Sequence, residues 1–174
     1  LTHCMYFPGI RGNKNIKIKK QKKYSVMINE SGNFHNAFFH STAGGYLSGP
    51  EVYWPSIKKS RYYHRGKDHS LFNSSYSRRS PHFNWSYSLS LQRFIEIWKN
   101  KHRFNAIIDI NIKKKQKRVA SLIIRTDKST IKIPITLFMS VMGRKLGWNK
   151  IKSNLFSLKL EKNILQFKGH GLGH

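Results

Sequence analysis

An α+β fold of mixed strands and short helices follows from three stretches whose hydrophobic periods differ. Residues 125–143 read R-T-D-K-S-T-I-K-I-P-I-T-L-F-M-S-V-M-G. Ile131 and Ile133 alternate with Thr130 and Lys132, after which Ile135, Phe138, Val141 and Met142 form one helical stripe, so a strand runs into a helix. Two apolar runs, 104–110 and 119–125, flank the charged residues 113–118, the pattern of a basic hairpin. Residues 56–90 interleave Lys and Arg with Tyr, Trp, His and Ser without a period and read as a long irregular insertion. The chain thus divides into 1–55, 56–90 and 91–174.

Taken in order, the chain starts with the apolar Met5 to Gly9 and a basic run over 14–23, either a phosphate-contacting arm or a solvated edge. Residues 25–28 predict a short strand, ended by Asn29 and by Ser31, Gly32 and Asn33. Gly49 and Pro50 predict a turn between two hydrophobic strands. In the insertion, Lys58, Lys59, Arg61, Tyr62, Arg65, Arg78 and Arg79 bring cations beside aromatic rings, so that phosphates are neutralised while unpaired bases stack; loop aromatics that anchor to their own core are the plainer reading. His64, His69 and His82 lack Cys or carboxylate neighbours at metal-ligand spacing.

Leu91, Phe94, Ile95 and Trp98 suit a helix, while residues 94–98 also alternate as a strand would. The hairpin cations Lys113, Lys114, Lys115, Lys117 and Arg118 predict a charged, solvated tip or a phosphate contact. Arg125 and Lys128 continue the basic series. Pro134 is expected at the first helical position and Gly143 at the helix end. Residues 155–160 predict a strand, and the glycine-histidine tail from Gly169 to His174 a mobile terminus in preference to adventitious metal binding.

The charge narrows the function classes. In 174 residues, 33 Lys and Arg stand against 7 Asp and Glu, a formal net charge of +26. Such a chain repels itself strongly and is relieved by a polyanion. An acidic membrane surface is the rival partner, but the sequence shows neither a run of about 18 apolar residues nor a strongly amphipathic basic helix of useful length. The abundance of Lys, Asn, Ile, Phe, Tyr and Ser matches an A+T-rich coding sequence and a compact organellar genome, but such drift does not explain the scarcity of acids. Cys4 is the only cysteine, which excludes an internal disulfide and a Cys-based zinc site. The acids Glu30, Glu51, Asp68, Glu96, Asp109, Asp127 and Glu161 are scattered, so neither a two-metal cluster nor an acid/base pair is legible. The sequence predicts a binding and scaffold part, with no catalytic residue of its own. Leu1 opens the chain in place of Met, as expected of an internal fragment.

Residues 125–143 resemble a segment of the multisubunit RNA polymerase β subunit, bacterial and plastid, of the type R-I-D-R-x-R-K-L-P-V-T-x-L-L-x-A-L-G. Arg125 and Asp127 match its opening; Lys132, Ile133 and Pro134 match K-L-P; Thr136, Leu137, Phe138, Met142 and Gly143 keep their spacing from Pro134. One residue is extra between Asp127 and Pro134. Residues 48–54, with Ser48, Pro50, Val52 and Tyr53, are similar to the family's R-S-P-G-V-Y-F turn near the nascent RNA, although Gly49 and Pro50 stand in reversed order and Leu47 replaces the arginine. The family's strand G-S-W-L-x-F-E-x-D is expected at Phe94, Ile95, Glu96 and Ile97.

The resemblance implies a protrusion/lobe portion of a larger subunit, located in a plastid or another organelle, that touches DNA and RNA and meets the β′ and α subunits. It implies no cofactor on this chain, since the catalytic magnesium belongs to β′. A basic structural protein ordered by the RNA of an organellar ribosome is the alternative expectation.

Overall fold

Among the described residues, two three-stranded antiparallel sheets and two helices enclose an apolar core. The strands are β1 (Tyr46–Leu47), β2 (Gly66–Lys67), β3 (Asn84–Ser90), β4 (Ile107–Lys115), β5 (Arg118–Thr126), β6 (Thr130–Pro134), β7 (Phe156–Glu161) and β8 (Ile164–His170); the helices are α1 (Leu91–His102) and α2 (Ile135–Leu146). One sheet has the order β3-β8-β7 and the other β4-β5-β6, while β1 and β2 pair as a small ribbon. The computed structural model describes residues 38, 40–58, 65–68 and 74–173. The chain divides into Leu1–Phe38 and Phe39–His174, and the described residues other than Phe38 belong to the second unit. The α+β class is that expected.

In β3, Trp85, Tyr87 and Leu89 alternate with Ser86, Ser88 and Ser90, and the apolar set turns to the core. This strand occupies the end of the expected irregular insertion, where the serines follow period two. Ser90 then closes the strand and caps α1: its hydroxyl accepts the Arg93 N–H at 3.3 Å. The helical alternative therefore holds over residues 91–98, and Phe94, Ile95, Glu96 and Ile97 do not form the expected family strand. Phe94, Ile97 and Trp98 are buried, and Lys99, Lys101 and His102 lie in the last turn, where the helix dipole favours cations.

The β4–β5 hairpin turns on Gln116 and Lys117, both with positive φ (49° and 63°), and β7–β8 turns on Lys162 and Asn163 in the same manner. These two-residue turns match the twist of the flanking strands. Leu122, Ile124, Ile110 and Ile133 point inward from the second sheet. A register shift after Lys113 leaves Ala120 unpaired and keeps Val119 on the buried side.

Helix α2 follows β6 directly. Pro134 is its N-cap and the last residue of β6, one place earlier than expected. The predicted stripe of Ile135, Phe138, Val141 and Met142 is buried, joined by Met139. Phe138 stacks on Trp98 of α1 with centroids 6.2 Å apart, and it also meets Phe156 and Phe167 of the other sheet. Gly143 does not end the helix; Gly147, with φ 97°, does. A Cβ on Gly143 would overlap the six-membered ring of Trp148, so this glycine serves a close approach inside the helix.

Of the tail expected to be mobile, Leu172 is bridged to Thr42, and Gly169 and His170 are paired as the end of β8, the central strand of its sheet, in which Leu165 and Phe167 are buried. Its apolar alternation outweighs the glycines. Strand β1, from the expected first segment, pairs with β2 from the second. The predicted strand over 25–28 and the basic run over 14–23 lie outside the described residues. Among the described residues no helix is long and apolar enough to cross a membrane.

Candidate nucleic-acid interface

Cross-strand register brings Lys113, Arg125 and Lys132 of the second sheet onto one face. Opposite the core, the rows across β4, β5 and β6 are Lys113–Ser121–Pro134, Asn111–Ile123–Lys132 and Asp109–Arg125–Thr130. Lys113, Lys132 and Arg125 are exposed. With strands about 4.8 Å apart and a rise of about 3.4 Å per residue, Lys132 stands about 8 Å from Arg125 and about 12 Å from Lys113 by Cα position. Lys115 extends this basic surface towards the hairpin and Lys128 extends it into the β5–β6 turn, while Lys114, opposite buried Val119, leaves from the other face of the sheet; all three lysines are exposed. Long cationic side chains at such spacing suit an extended polyanion lying across the sheet.

Asp109 and Asp127 are the carboxylates closest to these cations in register or sequence. Asp109 accepts a hydrogen bond from Asn111 Nδ2 at 2.6 Å. Asp127 Oδ1 accepts the backbone N–H groups of Asn105 and Ala106 at 3.2 and 3.3 Å, fixing the entry to β4 against the β5–β6 turn. Both carboxylates are thus engaged within the fold. Elsewhere Glu96 pairs with Arg93 and Glu161 with Lys159.

The hairpin tip is not the purely solvated one expected. Gln116 Oε1 accepts the Gly49 N–H at 3.0 Å, and Gln116 Nε2 donates to Glu51 Oε1 at 2.9 Å. Lys117 Nζ sits 4.9 Å from the centre of the Tyr46 ring. These contacts stabilise the positive φ angles of a turn that lacks Asn and Gly.

Arg118 is the main correction to the predicted contacts. It is 6 % exposed, and its guanidinium donates to Asn154 Oδ1 at 2.9 Å, to the Tyr46 carbonyl at 3.0 Å and to the Ala43 carbonyl at 3.3 Å. Burial pushes its pKa down to about 10, which still leaves it charged at neutral pH. A buried cation with its donors used in this way holds loops together and does not present itself to a phosphate.

Arg65, another predicted contact, donates to Glu51 at 3.3 to 3.4 Å. Burial acts to raise the Glu51 carboxyl, but its backbone hydrogen bond, Gln116 and Arg65 together hold it below the ordinary carboxylate range. Pro50, Glu51 and Val52 form a buried 3-10 turn, followed by Tyr53, whose hydroxyl is raised to about 12 by burial. Ser48 is half-buried beside that turn. The residues resembling the family turn thus pack against the hairpin end of the second sheet.

Of the remaining predicted residues, Lys58, Arg78 and Arg79 are exposed, whereas Lys59, Arg61 and Tyr62 lie outside the described residues. Thr136 is half-buried on α2. Lys132 was absent from the predicted contacts, although its alternation with Ile131 and Ile133 carried the signal. His82 Nδ1 is 3.2 Å from Lys152 Nζ. Among the described residues no three of His, Cys, Asp and Glu come together as metal ligands.

Comparison with protein-family models finds no match, and comparison with curated proteins finds none.

Proposed function

We propose that this chain is a non-catalytic portion of the β subunit of a plastid-type DNA-directed RNA polymerase, contributing a basic surface to the path of DNA and RNA. The reading rests on the resemblance over residues 125–143 and on the physical role of its matched residues. Arg125 and Lys132 share the exposed face, Asp127 fixes the turn, Pro134 caps the helix and Gly143 admits Trp148. β5 and β6 pair from Ser121↔Pro134 to Arg125↔Thr130 without a shift. The extra residue between Asp127 and Pro134 therefore falls in the turn between the strands, where a change of length costs least.

The basic face is the single observation that carries the nucleic-acid part of the proposal. Its lysines and arginine recognise backbone phosphates and make no base-specific arrangement, as expected of a scaffold that holds any transcribed sequence. Under this proposal β′ and α are its protein partners and the plastid its compartment.

The test is an affinity pull-down of the tagged chain from its own organelle after nuclease digestion, with the bound proteins identified by mass spectrometry. Recovery of β′ and α subunits supports the proposal. Ribosomal proteins in their place, or nothing once RNA is digested, would leave the basic RNA-ordered ribosomal protein as the better reading.

A further inference from the structure

A second exposed feature lies apart from the basic sheet in sequence and carries an aromatic ring. Residues 74–83 form a chain of turns in which the Arg78 N–H donates to the Ser75 carbonyl at 3.1 Å and the Ser80 N–H to the Ser77 carbonyl at 2.9 Å. Ser75 and Ser77 donate their hydroxyls to the same oxygen, Asp68 Oδ2, at 2.8 and 3.0 Å. Thr42 and Ser80 hydroxyls lie 2.9 Å apart, a further tie of these turns to the fold. Asp68 is 8 % exposed, so the carboxylate beneath the turn is occupied in holding it.

The fixed turn presents Tyr76 outward, 74 % exposed, next to exposed Arg78 and Arg79. The hydrogen bonds anchor the backbone from below and leave the phenol unburied. An exposed ring carried on the same set of turns as two exposed arginines matches the chemistry of an unpaired base followed by its phosphate. In a duplex the base faces are already stacked, so a ring displayed this way discriminates between strand states, whereas the arginines do not.

We infer that Tyr76 stacks on an unpaired base of single-stranded nucleic acid, with Arg78 and Arg79 holding the adjoining phosphates. The inference deepens, and depends on, the reading of the chain as a nucleic-acid-contacting scaffold.

The test measures binding of the full chain to a single-stranded oligonucleotide and to a duplex of the same length over a range of salt. Tyr76→Ala is expected to weaken single-strand binding roughly five- to ten-fold with the salt slope unchanged, and to leave duplex binding as it was. Tyr76→Phe is expected to bind as the parent does, because it keeps the stacking face. An unchanged thermal midpoint confirms that the Ala variant folds. Equal losses on the two substrates, or no loss on the single strand, would overturn the stacking role while leaving the scaffold reading in place. Absence of salt-dependent binding by the parent chain to either substrate would overturn both.

Discussion

Arg118 and Asn154, thirty-six positions apart, form a buried hydrogen bond of 2.9 Å that ties the start of β5 to the segment before β7. Asn154 answers with its side-chain amide, which donates to the Val119 carbonyl at 3.3 Å, while the Val119 N–H donates to the Asn154 carbonyl at 2.8 Å. The last cation of an apparently exposed basic run is therefore a structural residue. Its two further bonds, to the Ala43 and Tyr46 carbonyls, extend the tie to the β1 segment.

Arg118→Ala removes a guanidinium that satisfies two buried acceptors and a part-buried third, and is expected to cost about 2–4 kcal/mol. Thermal or urea unfolding measures it. Nucleic-acid affinity of the folded fraction should stay within about two-fold of the parent, since the residue faces no solvent. A large loss of affinity with unchanged stability would contradict the structural role.

Replacing Lys113, Arg125 and Lys132 together by Gln should act in the opposite sense. The three are exposed and their removal should change unfolding free energy by no more than about 0.5 kcal/mol each. If all three meet phosphates, the slope of log affinity against log salt should fall by about 2 to 3. A titration at four or five salt concentrations decides the matter, and an unchanged slope rejects the face as the binding surface.

Gly143→Ala would stabilise an ordinary helix interior by up to about 1 kcal/mol. Here the added methyl meets the Trp148 ring, so the expected effect is a loss of about 1–2 kcal/mol. In a Trp148→Ala background the same substitution should become neutral or stabilising. A double-mutant cycle on unfolding free energies reads this coupling, and additive effects would rule out the contact as the reason for the glycine.

His40 provides a pH dependence. Burial lowers its pKa below the usual 6.5, Arg118 lowers it further and Asp68 opposes them. The unfolded chain therefore binds the proton more readily, so folding stability is fully present above about 6.5 and is lost as pH falls through the folded value. Melting temperature should drop on acidification from about pH 7, and His40→Gln should flatten that limb. An unaltered pH profile in the variant would reject His40 as its source.

Much of the second sheet and its helix was legible because local signals agree there. Ile131 and Ile133 alternate, Pro134 fits the boundary, and the apolar residues of α2 recur at helical spacing. The serine alternation of β3 carried equal information, but the dense aromatic and basic residues before it obscured the change to period two. For residues 94–98 both periods fit; the Ser90 cap and a core that takes Phe94, Ile97 and Trp98 from one helical face decided for the helix.

The candidate site divides along the same line. The sequence by itself determined the excess of cations, the scarcity of acids and the strand parity that puts Lys113, Arg125 and Lys132 on a polar side. Charge and side-chain alternation are local properties of the chain, and folding does not alter them. Only the tertiary structure decided which cations remain outside. Residues 43–46 and Asn154 close over Arg118, and Glu51 takes Arg65, because buried carbonyls and carboxylates need donors that arrive from distant segments. Gly143 and Trp148 follow the same rule: the ring's approach, invisible in helix propensity, gives the glycine its place.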